Sequence, residues 1–127
     1  TLALIVHPET GVIWNNENGP NGGDEINIIR PGANYGWPLV SFGRDYPGPR
    51  VSEHPTREGM ESPLVAWIPS IAVAGMTVYT GDRFPHWKGN VFVGAMRMGE
   101  LPHVMDARLL AVIEGKVNPG AEVFNTL

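Results

Sequence analysis

The sequence predicts an all-β protein made of short antiparallel strands. Two observations carry that expectation. Glycine and proline are abundant together, 16 and 12 in 127 residues, and both punctuate a chain into turns more readily than they extend helices. Short apolar or alternating runs recur between clusters of Gly, Pro, Asn and Asp, a spacing that suits a sandwich, a barrel or a propeller.

Taken in order, Leu2–Val6 is a buried-type run and His7–Gly11 a turn. Val12–Asn15 reads as the second strand. Gly19-Pro20 and Gly22-Gly23 then supply backbone that bends sharply and approaches neighbours closely. Glu25–Ile29 alternates polar and apolar and is rich in Ile, as a half-buried strand requires. Asn34-Tyr35-Gly36-Trp37-Pro38 is a second turn. From Pro38 to Pro63 the chain is loop-like, mixing Pro47, Pro49 and Pro55 with charges, and a loop of that length is usually functional or disordered. Leu64–Trp67, Met76–Tyr79 and Asn90–Met96 read as three more strands, with a turn at Asp82–Pro85 and Trp87 packed beside it. From Glu100 onward Pro102 is awkward for a central strand. Asp106–Glu114 can start a short helix capped by Asp106 and ended by Gly115. The same stretch equally forms a hairpin, Leu109–Ile113 and Lys116–Val117 about Glu114-Gly115, and the hairpin is the expectation.

Composition bounds the function. A chain of 127 residues that is 43% hydrophobic and 17% charged fits one globular domain with a real core. The net charge of −4 gives no basic footprint, so nucleic acid is not an expected partner. The absence of cysteine excludes disulfides and thiolate metal sites. No apolar run approaches the ~18 residues of a membrane helix, and none reads as a signal peptide. The chain begins directly in strand-like sequence at Thr1, without Met.

The chemistry concentrates around Gly19-Pro20. A hard cation such as calcium takes carboxylate and carbonyl oxygens, and a Gly-Pro turn followed by Asp24 and Glu25 offers both. The plainer alternative is a tight turn with solvated acids. Glu17, Asp24 and Glu25 make a glycosidase pair only if two of them face one cleft. The four histidines, His7, His54, His86 and His103, lie singly without ligand spacing. No Gly-x-Ser-x-Gly elbow surrounds Ser41 or Ser70. Gly22-Gly23 precedes a strand and not a helix, so a nucleotide loop fails on context.

The run Asn18–Ile29, with Gly19-Pro20-Asn21-Gly22-Gly23-Asp24-Glu25-Ile26-Asn27 inside it, and then Pro31-Gly32-Ala33-Asn34-Tyr35-Gly36-Trp37-Pro38, closely resembles the soluble quinone-dependent sugar dehydrogenases. These are the glucose/sorbosone and aldose sugar dehydrogenases, six-bladed β-propellers that use pyrroloquinoline quinone (PQQ) and calcium. The resemblance extends through His7–Gly11, Trp14–Glu17, Ser41–Tyr46, Trp67–Ala72, Gly75-Met76, Tyr79–Pro85 and Gly89–Ala95, covering roughly Leu2 to Gly99. It implies four-stranded antiparallel blades. At about 40–45 residues per blade the chain holds two to three. On that division, 1–99 is a partial propeller and 100–127 a divergent tail.

The resemblance also implies roles. The carbonyls of Gly19 and Pro20 would hold the calcium that activates the quinone. Glu25 and the Tyr35 carbonyl would hold a second, structural calcium, while Asp24 satisfies backbone donors in the turn. Tyr46 aligns with a residue lining the cofactor pocket; its alternative is packing on Pro47 and Pro49. Arg97 stands where the family places residues facing the cofactor; its alternative is a solvated strand-end charge. Trp67 matches an aromatic near the sugar-binding mouth; its alternative is core packing. The family's general-base His and C-terminal quinone-binding Arg have no counterpart, so no catalytic residue is assigned in this chain. The expectation is a piece of a periplasmic or secreted aldose dehydrogenase, associating with itself or with other segments of its parent. The alternative is a non-catalytic calcium-binding scaffold or a sugar- or protein-binding module.

Overall fold

The computed structural model describes residues 1–96 and, beyond them, the backbone of two strands at 108–113 and 123–125. The strands are β1 (Ala3–Val6), β2 (Ile13–Glu17), β3 (Asp24–Ile29), β4 (Val65–Trp67), β5 (Val73–Val78), β6 (Val91–Ala95), β7 (Arg108–Ile113) and β8 (Val123–Asn125). They form two sheets, ordered β1-β2-β3-β4-β8 and β5-β6-β7. Strands β1 to β4 pair antiparallel throughout, as do β5 to β7. The fold is therefore all-β, and its two sheets answer to two blades. One departure from the expected pattern is β8, which lies parallel on the outer edge of β4. A parallel neighbour needs a long crossover and cannot come from a hairpin; nothing local in the sequence announces it.

Alternation assigns the faces of the first sheet. Ala3 and Ile5 on β1 stand opposite Asn16 and Trp14 on β2, which stand opposite Ile26 and Ile28 on β3. In a strand successive side chains leave on opposite faces, so all six share one face. Trp14 and Ile26 join Val65, Trp67, Val73, Met76, Val91 and Val93 in the buried core between the sheets. Asn16, fully buried, ties the sheets together. Its Oδ1 accepts from the Ala3 N–H (2.8 Å) and its Nδ2 donates to the Ala74 carbonyl (2.6 Å). The opposite face of the first sheet carries Leu4, Asn15, Glu17, Glu25 and Asn27.

The second sheet departs from the sequence reading at its start. β5 begins at Val73, where the register shifts between Val73 and Met76. A bulge of this kind breaks the two-residue alternation that marks a strand. The expected turn at Asp82–Pro85 leads into a short 3₁₀ helix at Pro85–Trp87. Trp87 packs there, its ring 4.5 Å from Phe84 and 5.4 Å from Phe92. In the C-terminal stretch, 108–113 is strand; the turn and second arm of the expected hairpin lie outside the described residues. No helix among the described residues is long and apolar enough to cross a membrane.

Candidate functional site

The Gly19–Gly23 turn is shaped by its glycines. Gly22 and Gly23 adopt φ of +88° and +76°, a region L-residues avoid. A Cβ on Gly19 would land on the Gly22 carbonyl, and one on Gly23 would sit 2.7 Å from the Gly43 nitrogen. The turn is thus pressed against the loop at Gly43. Asp24 locks it from below. Its fully buried carboxylate accepts from the Gly19 N–H (3.1 Å), the Ser70 hydroxyl (2.7 Å), the Ile71 N–H (3.0 Å) and the Val73 N–H (3.2 Å). One side chain fastens the turn, the first sheet and the segment entering β5.

Above it, a cavity of about 170 Å³ is lined by Glu17, Gly19, Pro20, Glu25 and Tyr35, with Ser41 in its wall. Glu17 and Glu25 are cross-strand partners on β2 and β3, as are Asn15 and Asn27. The Asn27 amide donates to Glu17 Oε1 (3.0 Å) and Glu25 Oε2 (3.4 Å), and the Asn15 amide to Glu17 Oε1 (3.5 Å). The amide oxygens of both asparagines are buried without a hydrogen-bond partner. Burial pushes the Glu25 carboxyl up to about 7; the Asn27 hydrogen bond opposes this, and the charges of Glu17 and Asp24 add to it.

Tyr35 is placed by its hydroxyl, which accepts from the Arg30 N–H (2.7 Å) and donates to the Ile28 carbonyl (2.8 Å). That clamp holds the loop after β3 against the strand, so its backbone borders the same cavity as Glu25. Next to it Gly36, at φ +95°, donates its N–H to Asn34 Oδ1 (2.8 Å) and closes the turn.

Four of the residues singled out in the sequence, Gly19, Pro20, Glu25 and Tyr35, therefore line one cavity. Tyr46 does not join them; its side chain is 70% exposed on the loop beyond. Trp67 is 4% exposed and lies in the inter-sheet core, with no open ring face in this chain. Arg97 lies outside the described residues. Sequence reasoning passed over Asn15 and Asn27 and weighed Glu17 only as a glycosidase acid. Their signal was the matched pair Asn15-x-Glu17 and Glu25-x-Asn27, which places four polar side chains on one face once β2 and β3 pair.

The donor set suits a hard cation. Two carboxylates border the cavity, and the carbonyls of Gly19, Pro20 and Tyr35 accept no hydrogen bond among the described residues. Among those residues no three His, Cys, Asp or Glu side chains converge. The remaining oxygens would therefore come from the backbone, as is common for calcium.

A model of the glucose/sorbosone dehydrogenase family matches residues 1–116. The chain belongs to that family. Among its relatives, the aldose sugar dehydrogenase YliI of Escherichia coli strain K12 is 43% identical over 96 residues, covering 74% of this chain and 26% of the relative. Quinoprotein glucose dehydrogenase B of Acinetobacter calcoaceticus is 31% identical over 90 residues, covering 68% and 18%. The crystal structure of the soluble Escherichia coli aldose sugar dehydrogenase, in its apo form, superposes with a TM-score of 0.71 at 41% identity, covering 76% of this chain and 28% of that one. The sheets described above are thus blades of a sugar-dehydrogenase propeller. This member of the glucose/sorbosone dehydrogenase family spans about a quarter of the length of the curated relatives it matches.

Proposed function

We propose that this chain forms part of the calcium and cofactor wall of a PQQ-dependent aldose dehydrogenase that oxidises sugars at the anomeric carbon. The observation that carries the reading is the single cavity lined by Gly19, Pro20, Glu25 and Tyr35. The chain's part is positioning: the Gly19 and Pro20 carbonyls hold one calcium, and Glu25 with the Tyr35 carbonyl holds a second. Asp24 fixes the turn that presents them. Bound PQQ supplies the electron sink, with calcium as Lewis acid. Tyr46 is assigned to the cofactor wall, and Arg97 to a cofactor carboxylate. The substrate role implied for Trp67 has no exposed ring face behind it. The reading places the protein in the periplasm or outside the cell.

Titration of the folded chain with PQQ, with and without excess calcium, tests this. Saturable quenching of tryptophan fluorescence that requires calcium is expected. A folded chain that takes up calcium and no quinone would instead support a calcium-bound scaffold, the second reading, which the same cavity favours equally.

The remaining blades come from other segments of the parent or from further copies. Leu4 and Val6 on edge strand β1, and Leu2 just before it, are 61%, 60% and 54% exposed, an apolar row that invites association. Sedimentation is expected to show oligomers that Leu4→Lys disperses; a monomer at micromolar concentration overturns self-association.

A further inference from the structure

On the other side of the Gly19–Gly23 turn lies a second cavity, of about 250 Å³, whose polar lining is made by Asn21, Ser41, Arg44, Arg50 and Ser52. No carboxylate lines it. Arg44 and Arg50 are held side by side by an isolated antiparallel bridge. The Val51 N–H donates to the Gly43 carbonyl (3.3 Å) and the Asp45 N–H to the Pro49 carbonyl (3.1 Å), so the loop carrying both arginines is closed on itself. The Arg44 N–H donates to the Asn21 carbonyl (3.1 Å), fastening that loop to the turn.

Two like charges at directly opposed cross-strand positions destabilise a pair. The opposed carboxylates Glu17 and Glu25 share the Asn27 amide between them, and elsewhere Arg30 pairs with Glu61 at 3.1 Å and Lys88 with Asp82 at 2.6 Å. Among the described residues neither Arg44 nor Arg50 has a carboxylate partner. The other lining groups add donors. Ser41 Oγ accepts the Gly43 N–H (3.0 Å), which leaves its proton to donate, and the Asn21 amide makes no hydrogen bond among the described residues. In a protein of net charge −4, this is an exposed concentration of donors and positive charge with no carboxylate paired to it among the described residues.

We propose that this cavity binds the phosphate of a phosphate monoester. A tetrahedral dianion takes two guanidinium forks and a hydroxyl together, where a single carboxylate engages one fork. Ser41 borders both this cavity and the one containing Glu25. The two cavities are therefore neighbours, and a phosphorylated sugar seated on the arginines has the Gly19-Pro20 wall beside it. The proposal is independent of the calcium and quinone reading, because phosphate binding here needs neither.

The test is calorimetric titration of the full chain, at fixed ionic strength, with inorganic phosphate, glucose 6-phosphate and glucose. Both phosphates are expected to bind at one site per chain, and glucose alone far more weakly than glucose 6-phosphate. A tenfold preference for glucose 6-phosphate over inorganic phosphate assigns the site to a phosphorylated sugar; equal affinities assign it to the free ion. Arg44→Gln and Arg50→Gln should each weaken phosphate binding about tenfold, and Arg30→Gln, whose guanidinium is already paired, should not. Without phosphate, both cavity variants should unfold at or above the parent's temperature, since each relieves a repulsion. Absence of saturable phosphate binding overturns the proposal. So does equal binding by the double variant, or a loss of thermal stability in the single variants, which would give the pair a structural role.

Discussion

Asp24→Ala is expected to lower the stability of the chain by about 3–5 kcal/mol, from three orphaned buried donors at about 1–3 kcal/mol each, a large share of the about 5–15 kcal/mol typical of a domain. The reason is the number of groups that depend on one carboxylate. Gly19, Ser70, Ile71 and Val73 all donate to it, and it is fully buried. Truncation leaves three backbone N–H groups without their partner, and an unsatisfied buried donor costs about 1–3 kcal/mol. Asp24→Asn is the informative companion. Its amide oxygen can still serve Ile71 and Val73, and the Ser70 hydroxyl can turn to accept from its Nδ2. Only the Gly19 N–H is orphaned, so a loss of about 1–3 kcal/mol is expected. Urea denaturation followed by tryptophan fluorescence gives both values. If Asp24→Ala unfolds at the parent's midpoint, the tie is not what holds the turn. Calcium binding by Asp24→Asn should weaken along with stability, because the same side chain positions Gly19.

Calcium affinity is expected to rise with pH and level off above about 7, the value to which Glu25 is pushed in the cation-free protein. Calcium takes the ionised carboxylate, so below 7 each pH unit should weaken binding by up to about tenfold. Glu25→Gln should weaken it about a hundredfold or more, a loss of about 2.7 kcal/mol. Stability without calcium should move the other way. A carboxyl raised from 4.5 to about 7 binds its proton more tightly in the folded chain than in the unfolded one. Its contribution is therefore complete below about 4.5 and is lost as pH rises through 7. Calcium reverses that trend by selecting the carboxylate. Glu25→Gln should abolish both dependences together. Calcium titrations at pH 5.5 and 8 that give the same affinity would sink this account of the site.

The strands with unbroken alternation were legible. Glu25–Ile29 announces itself by three Ile between polar residues, and the structure places a strand at Asp24–Ile29. The start of β5 was not, because a bulge near Gly75 interrupts its alternation, and β8 was not, because it pairs with a strand 58 residues upstream. At the site, Gly19, Pro20, Glu25 and Tyr35 stood out by motif, and the turn role of Asp24 came with the same resemblance. Asn15 and Asn27 were illegible for a different reason. A buried amide has no signature of its own, and its neighbours are known only once two strands are in register. The arginine pair was hidden in the same way. Arg44 and Arg50 read as loop charges until the bridge brings them together.

The alternation of β3 has a consequence for errors. Ile26 is fully buried in the core on one face, and Glu25 and Asn27 border the carboxylate cluster on the other. Sliding the strand by one position would turn a carboxylate into the hydrocarbon core and an isoleucine into the cluster. Both faces reject the same mistake, so a one-residue deletion anywhere in Asp24–Ile29 should produce no intermediate phenotype: folding and cation capture fail together. Drift by insertion and deletion is left to stretches such as 53–60, where neither face has a side to lose.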